Sequence, residues 1–226
     1  SLDNSVLRYS SGFGLVAVNG SSFDSFSNNR ITNNEGSAAR IKADVAGDIA
    51  ESNDFSGNEQ DVIVVDGDEF GWRQVTHDAT WHDLGVPYRI TEANLEVNQD
   101  VRLTLNPGTT LEVEQERGIV VRGQLQAEGN SDTPVVMTGI QKTPGAWDGL
   151  FVRAPGSTST LRHVVVEYAG GGDTPTNFLA SGSIGDPVEI VVENSTFRDG
   201  AGYGVVAVGR AVFDSFANNV VTGNAS

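Results

Sequence analysis

The chain has 226 residues, with thirty Asp and Glu against fourteen Lys and Arg, a net charge of −16 and no cysteine. That charge excludes a nucleic-acid partner held through phosphates, and an anionic lipid surface, unless cations intervene; no disulfide scaffold or thiol chemistry is available. No apolar run approaches the roughly 20 residues of a membrane helix, so no membrane insertion is expected.

Twenty-seven Gly with abundant Asn, Ser, Thr and Val predict many short strands joined by frequent turns. The chain opens at Ser1 within sequence that is already repeat-like, so it is read as a piece of something longer, and a missing signal peptide carries no weight.

Residues 1–65 carry a period of 24. Leu7, Ile31 and Phe55 fall in register, as do Leu15, Ala39 and Ile63, then Ala17, Ile41 and Val65, with Asn34 and Asn58 at a turn. Units this short cannot bury their own apolar side, so they must stack. Asn28, Asn29, Asn53, Asn58, Asn218 and Asn219 recur at turns, where side-chain ladders from one unit to the next are expected. The segment 66–85 interrupts the period and reads as a linker or a cap.

Residues 86–226 alternate again. "TLEVEQE" points Leu111 and Val113 inward and Glu112, Glu114 and Glu116 outward, and "RLTL", "RGQLQAEG" and "LRHVVVEY" behave alike between Gly- and Pro-rich turns. The run 170–187 reads as one long loop. Residues 194–224 then repeat residues 4–34 at a gapless distance of 190, with about half the positions identical, among them Arg8/Arg198, Phe23/Phe213 and Asn28/Asn218. The expected division is therefore 1–65 as the last rungs of one module, 66–85 between, and 86–226 as the first three-quarters of a homologous second. The fold class is all-β: a right-handed parallel β-helix solenoid with rungs of about 20–24 residues.

The Leu-Thr-Leu strand running into Pro107-Gly108-Thr109, the rung from Gly123 to Gly129, Thr138, the Trp147-x-Gly149 strand start and the His163–Tyr168 rung entering Ala169-Gly170 carry a family resemblance. Over about residues 85–226 the chain resembles the pectate-lyase-like β-helix repeats of secreted and cell-surface bacterial and archaeal proteins. The resemblance implies this fold and a secreted or cell-surface setting; it implies no single activity. Family hydrolases carry four motifs on successive rungs. Arg40-Ile41-Lys42 matches one, the other three are absent, and Ile41 already serves as a core position.

Several residues are candidates for chemistry. Glu112, Glu114 and Glu116, on one strand face and roughly 7 Å apart in succession, are spaced for a glycosidase carboxylate pair, with an ordinary solvated acidic face as the competing reading. Asp66, Asp68 and Glu69 supply the oxygen ligands calcium prefers; an Asp-Gly turn competes, and no other cofactor is expected. His77 and His82, with Asp78 or Asp83, would be the zinc alternative. Trp147, Tyr168 and Phe178 are candidates to stack on a sugar or meet a partner. The leading expectation is a non-catalytic extracellular module, acting as stalk, adhesin or surface for a polysaccharide or cell-surface glycan. A polysaccharide lyase or hydrolase is the alternative. The repeat also predicts head-to-tail or domain-swapped self-association.

Overall fold

Strands of two to seven residues alternate inward and outward side chains, and each inward one is sealed only by its neighbours in the adjacent turns. The computed structural model, which describes residues 1–18, 20–66, 73–183 and 185–226, shows the resulting parallel β-helix. Its long sheet has nine strands, hence nine turns, and two six-stranded sheets flank its later part. At about 4.8 Å per turn the stack is on the order of 40 Å tall. Among the described residues the single helical element is the 3-10 turn Ala43–Asp48.

The core is a set of side-chain columns. On the long sheet Leu15, Ala39, Ile63, Tyr88, Leu111, Met137, Val166, Phe197 and Val221 stack in direct register through all nine strands. Those from Ala39 to Phe197 are completely buried, and each large member contributes about 1.5–3 kcal/mol by leaving water. The 24-residue register of the first segment is therefore physical: Leu15 pairs with Ala39 and Ala39 with Ile63, while Leu7 pairs with Ile31.

Turn chemistry fixes that register. Asn29 donates its backbone N–H and its Nδ2 to Asn53 Oδ1 at 2.9 and 3.0 Å, and Asn34 makes the same pair of bonds to Asn58 Oδ1 at 3.2 and 2.8 Å. Asn219 and Asn224 accept from Ser195 and Gly200 N–H groups one turn back, both at 2.9 Å. The expected ladders are present. Asn28 and Asn218 take a different part, occupying the left-handed region at φ 54 and 57 where Asn is tolerated. His163 sits at φ 49 at the corresponding turn, a structural role.

The two homologous segments are not on the same side of the helix. Strand Leu15–Ala17 belongs to the long sheet, whereas its counterpart Tyr203–Val208 belongs to a six-stranded one; Val6–Leu7 forms a separate two-stranded sheet, whereas Thr196–Arg198 joins the long sheet. The repeat has advanced by one face. The change occurs where Gln60–Asp66 pairs with Tyr88–Ile90 in the long sheet while Arg73–Val75 and Ala79–Trp81 begin the two flanking sheets. Residues 73–81 of the segment read as a linker or cap thus lie within the stack. They rest on the 3-10 turn, with Thr76 N–H donating to Asp44 at 2.8 Å.

Two sequence expectations fail locally. The strand expected to continue through Glu116 ends at Val113, because Glu116 turns to φ 61. The run read as one long loop contains the strand Thr176–Ser181, whose Phe178 pairs inward with Leu150 and Val205.

Candidate functional site

The outward positions of the long sheet form a second column beside the core. Val16, Arg40, Val64, Arg89, Glu112 and Thr138 follow one another in register, and Glu167, Arg198 and Thr222 extend it. Here polar side chains join across turns. Arg198 grips Glu167 Oε2 at 2.6 and 2.8 Å, Thr138 donates to Glu167 Oε1 at 3.1 Å, and Lys142 donates to Thr138 Oγ1 at 3.1 Å. Lys142 also lies 3.7 Å from Glu112, which Arg89 holds at 2.8 Å while donating to Gln60 at 2.9 Å.

Where this ladder meets the first segment there is a groove of about 340 Å³. Phe13, Val64 and Ile140 give it apolar surface; Arg40, Gln60 and Arg89 bring donors, and Asp66, Glu92 and Glu114 bring acceptors. The polar groups are pre-positioned by one another. Arg40 donates to Asp66 at 2.7 Å, Arg73 bridges Asp66 and Glu92 at 3.3 and 2.7 Å, and Glu114 accepts the Glu92 N–H at 2.7 Å. The Arg40 guanidinium carbon lies 5.8 Å from the centroid of the Phe13 ring. An apolar patch rimmed by paired donors and acceptors suits a ligand with a hydrogen-rich face and many hydroxyls.

The carboxylates proposed as a catalytic pair separate. Glu112 is bound to Arg89, Glu114 lines the groove, and Glu116 is exposed in the following turn. Trp147 is fully buried, donating its indole N–H to the Glu167 carbonyl at 2.8 Å, and Phe178 is fully buried against Phe197, centroids 5.6 Å apart. Neither can offer a ring to a ligand. Tyr168 is half-buried, packs against the core and sits at φ 62 away from the groove lining.

Of the calcium candidates, Asp66 is engaged by two guanidiniums, and Asp68 and Glu69 lie outside the described residues. His77 and His82 part to different carboxylates, Asp44 at 3.5 Å and Glu51 at 3.1 Å. Among the described residues no group of three His, Asp or Glu is arranged around a common metal position.

Three features had escaped the sequence reading. Phe13 in the groove lies outside any strand. Phe151 lies outward on the second sheet in a column with Val120, Leu179 and Val206, its ring 5.9 Å from the Arg153 guanidinium; alternation within "GLFV" could have found it. Asp148 is the third. Burial, then the charges of Glu116 and Asp173, hold its carboxyl above the usual range, with Arg117 opposing. Positions 116, 148 and 173 share no period, so nothing in the sequence brings them together.

Residues 74–171 match the family model described as a pectate-lyase like beta helix domain. The match starts inside the segment read as linker or cap and stops before the coil does. No curated protein and no solved structure matches the chain.

Proposed function

We propose that this chain, whose residues 74–171 match the pectate-lyase like beta helix family model, is a non-catalytic extracellular module that binds a polysaccharide along the outer face of its long sheet. The observation carrying the reading is the groove beside Phe13, where an apolar surface adjoins donors and acceptors already oriented by mutual ion pairs. A sugar ring lying on Phe13 and Val64 would present hydroxyls to Arg40, Arg89 and Glu114 with little further ordering, which keeps the entropic cost of binding low. The acidic surface and the family resemblance support the secreted or cell-surface setting. Affinity electrophoresis through neutral and acidic polysaccharides tests this, with recovered polymer assayed for new chain ends. Retardation without new ends is expected, weakened about tenfold by Arg89→Ala, as for loss of a charged hydrogen bond. No retardation by any polymer would sink the proposal.

One observation favours the enzymatic alternative. The Asp148 carboxyl, pushed above its usual range by burial and by the neighbouring Glu116 and Asp173 charges, is shifted in the direction a general acid needs. New chain ends that vanish in Asp148→Asn would establish a hydrolase or lyase instead.

A further inference from the structure

Each cation lining the groove on the long sheet is already ion-paired within the protein. Arg40 is bound to Asp66 through Nε and Nη2 at 2.7 and 2.6 Å, and Arg89 to Glu112 through Nε and Nη2 at 3.2 and 2.8 Å. Arg73, whose side chain is only 3% exposed, reaches Asp66 at 3.3 Å and Glu92 at 2.7 Å. The pattern continues along the same face, where Lys142 lies 3.7 Å from Glu112 and Arg198 holds Glu167. Lys42, at the end of strand Ser37–Lys42, makes no ion pair among the described residues, and it stands outside the groove lining. Glu114 is the reverse case. It lines the groove, accepts the Glu92 N–H at 2.7 Å and makes no ion pair among the described residues.

We infer that the ligand of this groove is a neutral polysaccharide, built of hexoses that carry hydroxyls and no carboxylate, and that the groove discriminates against uronate polymers of the same backbone. The inference rests on the proposal that this groove binds a polysaccharide, and narrows it to one class. A carboxylate entering the groove finds no lining cation without an acidic partner. To gain a guanidinium it would have to displace Asp66 or Glu112 and leave that charge unpaired, while Glu114 repels it. Hydroxyls meet the opposite situation. A guanidinium has five N–H donors, and Arg40 commits Nε and Nη2 to Asp66, so Nη1 is left for a sugar oxygen. Glu114 can accept from a sugar hydroxyl with no ion pair broken. Phe13 and Val64 supply the apolar floor, which is indifferent to charge.

Matched pairs test it: neutral hexose polymers, each beside its counterpart oxidised to the uronate at C6, titrated calorimetrically against the full chain. Moderate salt screens most of the repulsion from the overall charge of −16. A neutral polymer is expected to bind, and its oxidised counterpart to bind at least about tenfold more weakly. Glu114→Gln, which keeps an oxygen for the Glu92 N–H, should narrow that gap severalfold. Glu189→Gln makes the same change of charge at an exposed position on another sheet and should leave the gap as it was. Binding of the neutral polymer should also change by less than about twofold as salt rises, since no charged contact carries it. Three results would overturn this inference and leave polysaccharide binding standing: oxidised polymers bound as tightly as neutral ones, a gap that the two variants move alike, or neutral binding that falls steeply with salt. Absence of binding by every polymer would overturn both.

Discussion

Replacing Asn53 by Ala tests whether the asparagine ladder holds the first turns together. Asn53 is 6% exposed and makes four side-chain bonds: Oδ1 accepts from the Asn29 N–H and Nδ2, and Nδ2 donates to the Phe26 and Ala50 carbonyls at 2.9 and 2.6 Å. Three of the four abandoned groups keep another partner, since Asn29 Nδ2 still reaches the Leu2 carbonyl, Phe26 O accepts from Ala50 and Ala50 O accepts from the Asn53 N–H. Each of those losses costs about 0.5–1 kcal/mol. The Asn29 N–H is left buried with no acceptor, a further cost of about 1–3 kcal/mol. The sum is about 2.5–6 kcal/mol, or a drop in Tm on the order of 10 °C for a cooperative chain of this size. Urea unfolding followed by circular dichroism measures it, with native-state hydrogen exchange at Asn29 and Asn34 to separate local opening from global unfolding. A loss below about 1 kcal/mol would refute the ladder as the source of register.

Three other outcomes are expected. Asp148 is held above its unfolded carboxyl range, chiefly by burial, so the folded state binds its proton more tightly: its contribution is favourable below the unfolded value and lost as pH rises through the folded one. Asp148→Asn should therefore raise Tm at pH 7 and leave it unchanged near pH 3, and equal shifts at both would refute the assignment. Gly149 stands at φ 130, where an added Cβ would lie 2.5 Å from the Thr176 carbonyl oxygen. Gly149→Ala should cost at least about 2 kcal/mol in urea unfolding, and a neutral result would contradict that geometry. Calcium should leave Tm where an equal ionic strength of sodium leaves it, because binding at Asp66 would have to displace Arg40 and Arg73; a calcium-specific rise would restore the metal reading.

The fold was legible because stacking demands repetition. Leu15, Ala39 and Ile63 must be apolar at one spacing to fill a column, and Asn29 and Asn53 must be amides to satisfy each other, so the sequence repeats at the distance the structure repeats. The site was less so. Trp147 and Phe178 are aromatic whether they face in or out, and only the phase of the strand decides; Gly-rich flanks hid the strand that sends Phe178 inward. Glu112, Glu114 and Glu116 alternate on paper, while the strand ends at Val113 and the turn that puts Glu116 in the left-handed region leaves Glu114 and Glu116 beyond it. The groove draws Phe13, Arg40, Gln60 and Glu114 from separate turns, and no spacing within one rung announces such a meeting.

The one-face advance between the homologous segments also settles where their outward side chains aim. Val16 and Val206 occupy equivalent places in the repeat yet look out from different sides of a three-sided prism. Sequence identity here does not mean a common heading. An array extended by the same rule would carry its equivalent decorations around the axis like the steps of a spiral stair, returning to the first bearing only after three periods. Such a fibre has no single working side, and whatever it recognises it would meet from every compass direction in turn.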